Sequence, residues 1–100
     1  MRLATGAGVD CGKVRQALAG GSAASRVLDV MGERMVSRDF SAGIEARLHH
    51  KDFGLVLEAA RQSGVPVPLT AVVAQQLNAL MAQGWGRDDT ASLLRVLERT

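Results

Sequence analysis

The segment "IEARLHHKDFGLVLEAARQSGVPVPLTAVVAQQLNAL", residues 44–80, decides the fold of this chain. Its first half predicts a long helix from about Ile44 to Ser63, and Gly64 can end that helix in the left-handed conformation. The "VPVP" that follows cannot continue a helix, whereas Pro68 suits the first turn of a new one. That second helix is expected to bury an apolar stripe formed by Leu69, Val73, Leu77 and Leu80.

The chain before this segment also has helical patterning. Residues 1–7 are typical of the last turns of a helix, and Asp10 is a suitable N-cap for a short helix, Cys11 to Ala19. Ser22 is predicted to cap a third helix that runs through Val36. Its expected inward stripe consists of Val27, Leu28, Met31 and Met35.

The chain after residue 80 predicts one further helix. The turn "GWGRDD" precedes it, and Asp89 is expected to be its N-cap, with Leu93, Leu94 and Leu97 facing inward. Residues 37–43 have the composition of a loop, and no segment alternates well enough to indicate a strand. The predicted fold class is therefore all-α, a compact bundle of five or six helices.

Composition narrows the function classes. One hundred residues form one domain, and only three are aromatic, so the core must be built from Leu, Val, Ala and Met. The formal charge is +2, with scattered basic residues, which argues against nucleic acid as a partner. No apolar run approaches the ~18 residues of a membrane span, and no secretory pattern begins the chain, so we expect a soluble, cytoplasmic protein without a membrane partner.

Few residues suggest catalysis or metal binding. Cys11 is the single cysteine, so no internal disulfide and no Cys/His zinc cluster is expected. His49 and His50 are adjacent and would point about 100° apart on a helix, so they cannot share a metal ion. The glycines of "GAGVDC", residues 6–11, lack a preceding strand and indicate a helix stop followed by a helix start. The sequence therefore predicts no metal site and no catalytic residue within this chain.

Lys51 is the residue that helical patterning does not explain. At about 100° per residue it falls on one side of its helix with Ile44, Leu48, Leu55 and Ala59, a stripe that we expect to be buried. No carboxylate lies three or four residues away. An ammonium at the margin of a buried stripe costs several kcal/mol unless it reaches water or an anion. Two interpretations stay open: the side chain extends to solvent, or a ligand or another domain supplies the anion.

Three segments of the sequence resemble the β-hydroxyacid dehydrogenase family. The stretch "HHKDFGLVLEAA", residues 49–60, is similar to the K-D-L-G-x-A-x-D segment of these enzymes, with differences at Phe53, Val56 and Glu58. "GGSAASRVLDVMGERM", residues 20–35, is similar to the corresponding run of the tartronate semialdehyde reductase subgroup. "GWGRDDTAS", residues 84–92, resembles the family turn G-x-G-x-x-D-x-S-A, with Asp89 in place and Ala91 and Ser92 exchanged.

The resemblance implies a role for the chain. Residues 1–100 would be the C-terminal helical domain, as in 6-phosphogluconate dehydrogenase-like enzymes, contacting NAD or NADP and making homo-oligomer contacts. The Rossmann domain and the catalytic lysine would lie upstream. Lys51 and Asp52 would contact the cofactor across the interdomain cleft, and Ser22 and Ser25 would line the substrate pocket. The implied parent reaction interconverts a small hydroxy acid and its oxo acid, tartronate semialdehyde and glycerate in the closest subgroup.

A second interpretation belongs to another function class. The chain would then be a stand-alone helical dimerisation or interaction module without catalysis. A stable homodimer that does not bind NAD(P)H would favour this alternative. A helical nucleic-acid binder, suggested only by the pI of 9.3, is the third and weakest interpretation.

Overall fold

The structure is a computed structural model that describes residues 1–99 of the chain. The described residues form six α-helices and one 3-10 helix, which confirms the all-α prediction. In chain order these are α1 (Arg2–Gly6), α2 (Cys11–Ala19), α3 (Arg26–Ser37), α4 (Ala46–Ser63), α5 (Pro68–Ala82), the 3-10 helix (Thr90–Ser92) and α6 (Leu93–Glu98). None of the helices within residues 1–99 is long and apolar enough to cross a bilayer.

The α4–α5 hairpin forms where the sequence predicts it. Gly64 ends α4 with φ 69°, in the left-handed region that favours glycine, and the amide of Val65 donates back to the carbonyl of Ala60 at 3.0 Å. Pro68 occupies the first turn of α5, where its missing N–H removes no helical hydrogen bond. Helix α4 begins at Ala46, two residues later than the pattern indicates.

Helix caps confirm one sequence prediction and correct another. The Asp10 carboxylate accepts a hydrogen bond from the amide of Lys13 at 3.0 Å and caps α2 as predicted. Ser22 was predicted to cap α3, and this is wrong. Ser25, in extended backbone, is the N-cap and accepts from the amide of Leu28 at 3.0 Å, because residues 21–23 form an additional turn first.

The core is small and centres on α5 and α6. Ala46, Leu80 and Val96 pack together, with Trp85 and Leu93 partly buried against them. The prediction that Leu97 faces inward is wrong, since 44% of it is exposed while Val96 is buried. Leu94 is buried as predicted, and the other buried residue of α6 is Val96.

Two other predicted core residues lie at helix starts and face outward. Leu69 is 81% exposed and Val27 is 64% exposed. Each is the second residue of its helix. Later members of both stripes, such as Leu77 and Met31, are buried or half-buried as predicted.

Asp89 holds the loop before α4 against the turn before α6. Its carboxylate, 3% exposed, accepts hydrogen bonds from the amides of Gly43 at 3.1 Å, Ile44 at 3.0 Å and Ala91 at 2.8 Å. The guanidinium of Arg34 lies 3.8 Å away. We call this carboxylate and its three amide donors the Asp89 clamp. It caps the 3-10 helix, so the predicted helix start at Asp89 is confirmed, although the first turn is not an α-helix.

The same turn caps the start of α4. No side chain caps α4, and the amides of Ala46 and Arg47 donate instead to the carbonyls of Asp88 and Gly86, both at 2.8 Å. Orphan amides at a helix start need such acceptors when they are buried. The amide of Thr90 in turn donates to the carbonyl of Ile44 at 3.2 Å. The beginning of α4 is therefore fixed by residues about 40 positions later in the chain.

Arg95 also joins the loop before α4 to the turn before α6. Its guanidinium lies between two rings, 4.5 Å from the centroid of Phe40 and 4.1 Å from that of Trp85, and it donates to the Asp88 carboxylate at 2.6 Å. Cation–π contacts of this kind are worth about 0.5–2 kcal/mol each. Two of the three aromatic residues are thus used to hold the loop to the α6 turn.

Arg38 links the end of α3 to α6. It adopts φ 56°, the one positive φ of a non-glycine residue in residues 1–99, and its guanidinium donates two hydrogen bonds to Glu98 at 2.9 and 3.1 Å. The bidentate pair helps to retain a conformation that non-glycine residues rarely adopt. The hydrogen bonds from Arg38 hold the pKa of Glu98 below its ordinary value of 4.5.

Removing the clamp should destabilise the domain strongly. We expect Asp89→Ala to lower the free energy of unfolding by about 3 kcal/mol, since it leaves buried amides without an acceptor. Urea denaturation followed by circular dichroism measures this. Asp52→Ala, at an exposed carboxylate, is the control and should change the value by less than about 0.5 kcal/mol. Equal effects of the two substitutions would contradict the role of the clamp.

The Arg38–Glu98 pair should make stability depend on pH. Because the folded-state pKa of Glu98 is lowered, its contribution is present above pH 4.5 and is lost as the pH falls through the lowered pKa. Both side chains are partly solvated, so Glu98→Gln should cost only about 0.5 kcal/mol at pH 7. The gap between wild type and variant should narrow as the pH falls below 4.5 in urea titrations. A gap that stays constant from pH 7 to pH 3 would rule this out.

Candidate functional site

The predicted buried stripe of α4 faces solvent, which corrects the sequence interpretation. Leu55 is 63% exposed and Leu48 37% exposed, and Ile44, just before the helix, is 50% exposed. We call this set the α4 outer stripe; its members are Ile44, Leu48, Lys51, Leu55 and Ala59. Helix α4 is apolar on two sides, and periodicity alone cannot show which side packs against the domain.

Contacts of two histidines show which face of α4 packs against the rest of the domain. The ring of His49 is hydrogen-bonded to the hydroxyl of Thr90, and Nε2 of His50 lies 2.7 Å from the side-chain oxygen of Asn78. These contacts dock α4 on the 3-10 helix and on α5, respectively. The two rings serve different neighbours, as their spacing predicts. Residues 1–99 contain no group of three or more His, Cys, Asp or Glu side chains that could hold a metal ion.

Lys51 lies on the α4 outer stripe and extends into solvent. Its side chain is 64% exposed, and its ammonium lies 3.7 Å from the carboxylate of Asp52, which is 56% exposed. A solvated pair of this kind contributes about 0–1 kcal/mol to stability. The ammonium is therefore not buried. Of the two interpretations of Lys51, extension of the side chain to solvent is the one that this chain shows by itself. The structure places a cation and a carboxylate side by side on an exposed apolar surface.

Ser22 and Ser25 lie in the joint between α2 and α3. Ser25 caps α3, while Ser22 is exposed in the preceding turn. Within the described residues, no hydrogen bond or ion pair joins either serine to Lys51 or Asp52. The chain on its own therefore presents two separate candidate surfaces.

A cleft of about 430 Å³ forms elsewhere, between α1, α2, α3 and α6. Cys11 lines it, with its thiol 3.1 Å from the hydroxyl of Thr5, and the paired Arg38 and Glu98 lie along it. Local sequence patterns do not reveal this cleft, because four helices contribute to it and α6 is distant in sequence from the other three. Four of its polar side chains are paired with one another, Thr5 with Cys11 and Arg38 with Glu98.

Comparison with known proteins identifies the family. Residues 1–97 match the family model described as NAD-binding of NADP-dependent 3-hydroxyisobutyrate dehydrogenase. The chain is 42% identical over 96 residues to 2-hydroxy-3-oxopropionate reductase of Escherichia coli, covering 96% of this chain and 33% of that protein. It is 34% identical over 97 residues to 2-(hydroxymethyl)glutarate dehydrogenase of Eubacterium barkeri, covering 92% of this chain and 32% of that protein.

A solved structure supports the fold. The crystal structure of 3-hydroxyisobutyrate dehydrogenase from Salmonella typhimurium superimposes with a TM-score of 0.92 over 96% of this chain and 34% of the other, at 21% identity. The match shows that the two chains share a fold.

The helical fold and the match over nearly the whole chain define an NAD-binding domain of a hydroxyacid dehydrogenase. The chain belongs to the family of NAD-binding domains of NADP-dependent 3-hydroxyisobutyrate dehydrogenases. The resemblance noted from the three sequence segments, and the nicotinamide cofactor it implies, are thereby confirmed. The chain spans about a third of the length of the curated relatives that it matches.

The two serines should differ in what they do for the fold. Ser25→Ala removes the α3 cap and should lower the free energy of unfolding by about 1 kcal/mol. Ser22→Ala, at the neighbouring exposed hydroxyl, is the matched control and should stay within about 0.5 kcal/mol. Thermal or urea unfolding of both variants checks this, and a larger loss for Ser22→Ala would show that the cap is misassigned.

Proposed function

We propose that this chain is the C-terminal, cofactor-contacting domain of an NAD(P)-dependent oxidoreductase located in the cytoplasm. Its exposed α4 outer stripe would form one wall of the cleft between it and a Rossmann domain. The observation that carries the proposal is the Lys51–Asp52 pair, which stands on an apolar helix face that this chain leaves uncovered. An apolar face with one cation and one carboxylate suits a ligand with a flat ring and polar substituents.

The residues present fit a nicotinamide dinucleotide. Leu48 and Leu55 flank Lys51 at three and four residues and could cover one face of a nicotinamide ring. The ammonium of Lys51 can donate to the carboxamide oxygen or to a phosphate, and Asp52 can accept from an amide or a ribose hydroxyl. When bound, the cofactor supplies the hydride chemistry. The domain would orient it and exclude water from the cleft.

The proposed substrate pair is tartronate semialdehyde and glycerate. Two observations support this choice over other small hydroxy acids: the 42% identity to a 2-hydroxy-3-oxopropionate reductase, and the sequence run of residues 20–35. Ser22 has an exposed hydroxyl that can bond a substrate carboxylate. Ser25 accepts from the amide of Leu28 and keeps its own proton to donate. We infer that these serines lie on the substrate side of the cleft in the whole enzyme.

The catalytic lysine of the proposed reaction is not assigned to this chain. Lys51 and Lys13 are its only lysines, and Lys13 lies on α2, where its amide takes part in the Asp10 cap. In this proposal the chain alone is inactive, and the proton donor comes from the other part of the enzyme. Contacts between copies would complete the assembly.

A domain exchange tests the cofactor role. Residues 1–97 would replace the matching domain of the Escherichia coli 2-hydroxy-3-oxopropionate reductase, and NADH and NADPH oxidation with tartronate semialdehyde would be followed. We expect Lys51→Met in this chimera to lower kcat/KM by about 10- to 100-fold, with a raised KM for cofactor, because a hydrogen bond to a charged group is lost.

The other lysine provides the matched control. Lys13→Met makes the same chemical change at an exposed site on α2 and should leave kcat/KM within about twofold. Unchanged kinetics for Lys51→Met in a folded chimera would refute the cofactor role. A chimera that folds and binds cofactor but prefers 3-hydroxyisobutyrate as substrate would refute the assignment of residues 20–35 to substrate choice.

A further inference from the structure

Helix α4 is apolar on two opposite sides, so apolar packing can place it on the domain in more than one rotation. Leu48 and Leu55 lie on the exposed α4 outer stripe, whereas Phe53, Leu57 and Ala60 are half-buried. We call Phe53, Leu57 and Ala60 the α4 inner face. The hydrophobic effect is non-directional and follows the buried area, so it distinguishes these rotations only coarsely. A directional contact is needed to fix one of them.

The two histidines supply directional contacts on either flank of the α4 inner face. Adjacent helical residues point about 100° apart, and the inner face lies between the directions of His49 and His50. The His49 ring is hydrogen-bonded to the hydroxyl of Thr90, which is 5% exposed. Nε2 of His50 donates to the side-chain oxygen of Asn78 at 2.7 Å. Hydrogen bonds weaken steeply as they bend, so a rotation of α4 in either direction would carry at least one ring away from its partner.

We propose that His49 and His50 are positioning residues for cofactor binding, because they hold α4 in the rotation that presents Lys51. His50 directly precedes Lys51, so the direction of the ammonium is tied to a ring that is bonded to α5. Both rings are half-buried and lie off the α4 outer stripe, so they act on the ligand only through Lys51. This inference rests on the proposed function, since it deepens the role given there to Lys51.

Other features of α4 limit its rotation less closely. The charge of Lys51 opposes a half turn that would bury its ammonium against apolar side chains. A smaller rotation leaves that ammonium in water and still turns it away from the proposed cleft. The hydrogen-bonded start of α4 fixes the position of Ala46, about one turn before Lys51. The histidine contacts are the ones that act beside Lys51 itself.

Thiol labelling of the full chain tests the rotation of α4 without any cofactor. In a Cys11→Ser background, Leu55→Cys should react with a maleimide at least about 10-fold faster than Ala60→Cys, because Leu55 is 63% exposed and Ala60 is half-buried. Replacing both histidines by leucine should lower this ratio at least about threefold, since α4 then populates other rotations. An unchanged ratio in the folded double variant would overturn the proposal, because apolar packing alone would then fix α4.

Two further variants separate positioning from a general loss of polar contacts. Gln62→Leu is the matched control, because Gln62 donates to Glu58 at 3.1 Å within α4 itself, and it should change the labelling ratio less than about twofold. His50→Gln keeps a donor for Asn78 and should retain most of the ratio that His50→Leu loses. Circular dichroism verifies folding. Where the double variant does not fold, equal ratios for His50→Leu and His50→Gln would overturn the proposal.

The chimera with the Escherichia coli reductase tests the link to Lys51. The dissociation constants of NADH and NADPH, measured by calorimetry, should rise at least about threefold with His50→Leu and stay within about twofold with His50→Gln. In a Lys51→Met background, His50→Leu should have no further effect, because no ammonium is left to position. Additive effects would overturn the positioning role alone. Unchanged dissociation constants for Lys51→Met itself would instead refute the proposed function.

Discussion

One buried carboxylate determines how this small domain is assembled. Asp89 accepts hydrogen bonds from amides of the loop before α4 and of the 3-10 helix. Neighbouring carbonyls of the same turn accept hydrogen bonds from the first amides of α4. A domain of this size has few fully buried side chains, and Leu77, Leu80 and Ser92 are the largest of them in residues 1–99. Buried hydrogen bonds between side chains and the backbone therefore contribute a larger share of its stability than they would in a protein with a larger apolar core.

The Asp89 clamp and the turn that contains it have a functional consequence, because they help to set the rotation of α4 about its axis. Its capped start and the two histidine contacts turn Ala46 inward, so that Lys51 faces out. The cofactor proposal thus depends on groups that touch no cofactor. Helix α5 packs beside α4 and contributes Ala74, Leu77 and Leu80 to the buried residues, while Leu48 and Leu55 of α4 stay exposed beside Lys51.

The sequence predicts the helices well because their limits are set locally. Gly64, Pro68 and Asp10 act within one turn of the chain, and each is found where its chemistry requires. The directions in which helices face are less predictable. The sequence predicts that the stripe containing Leu55 is buried, but a helix that is apolar on two sides could pack against the domain with either side. Only contacts with the distant residues Thr90 and Asn78 determine which side packs inward.

The candidate site shows the same limit. Lys51 could be singled out because its charge conflicts with its apolar neighbours, and family resemblance supplied an interpretation. Sequence patterning could not show that Lys51 is solvated beside Asp52, or that Ser25 rather than Ser22 caps α3. The Asp89 clamp could be anticipated only as a helix cap. Its other donors, Gly43 and Ile44, are too far away in sequence for local patterns to reveal them.

The Asp89 clamp also has a consequence for folding during synthesis of the chain. Its halves, residues 43–47 and 86–90, are separated by about 40 residues, and a ribosome releases the first half long before the second. During that interval the first amides of α4 lack the carbonyls of Gly86 and Asp88, which accept their hydrogen bonds in the folded domain. The start of α4 is capped only when residues 86–90 have emerged, so a later turn of the chain completes an earlier helix.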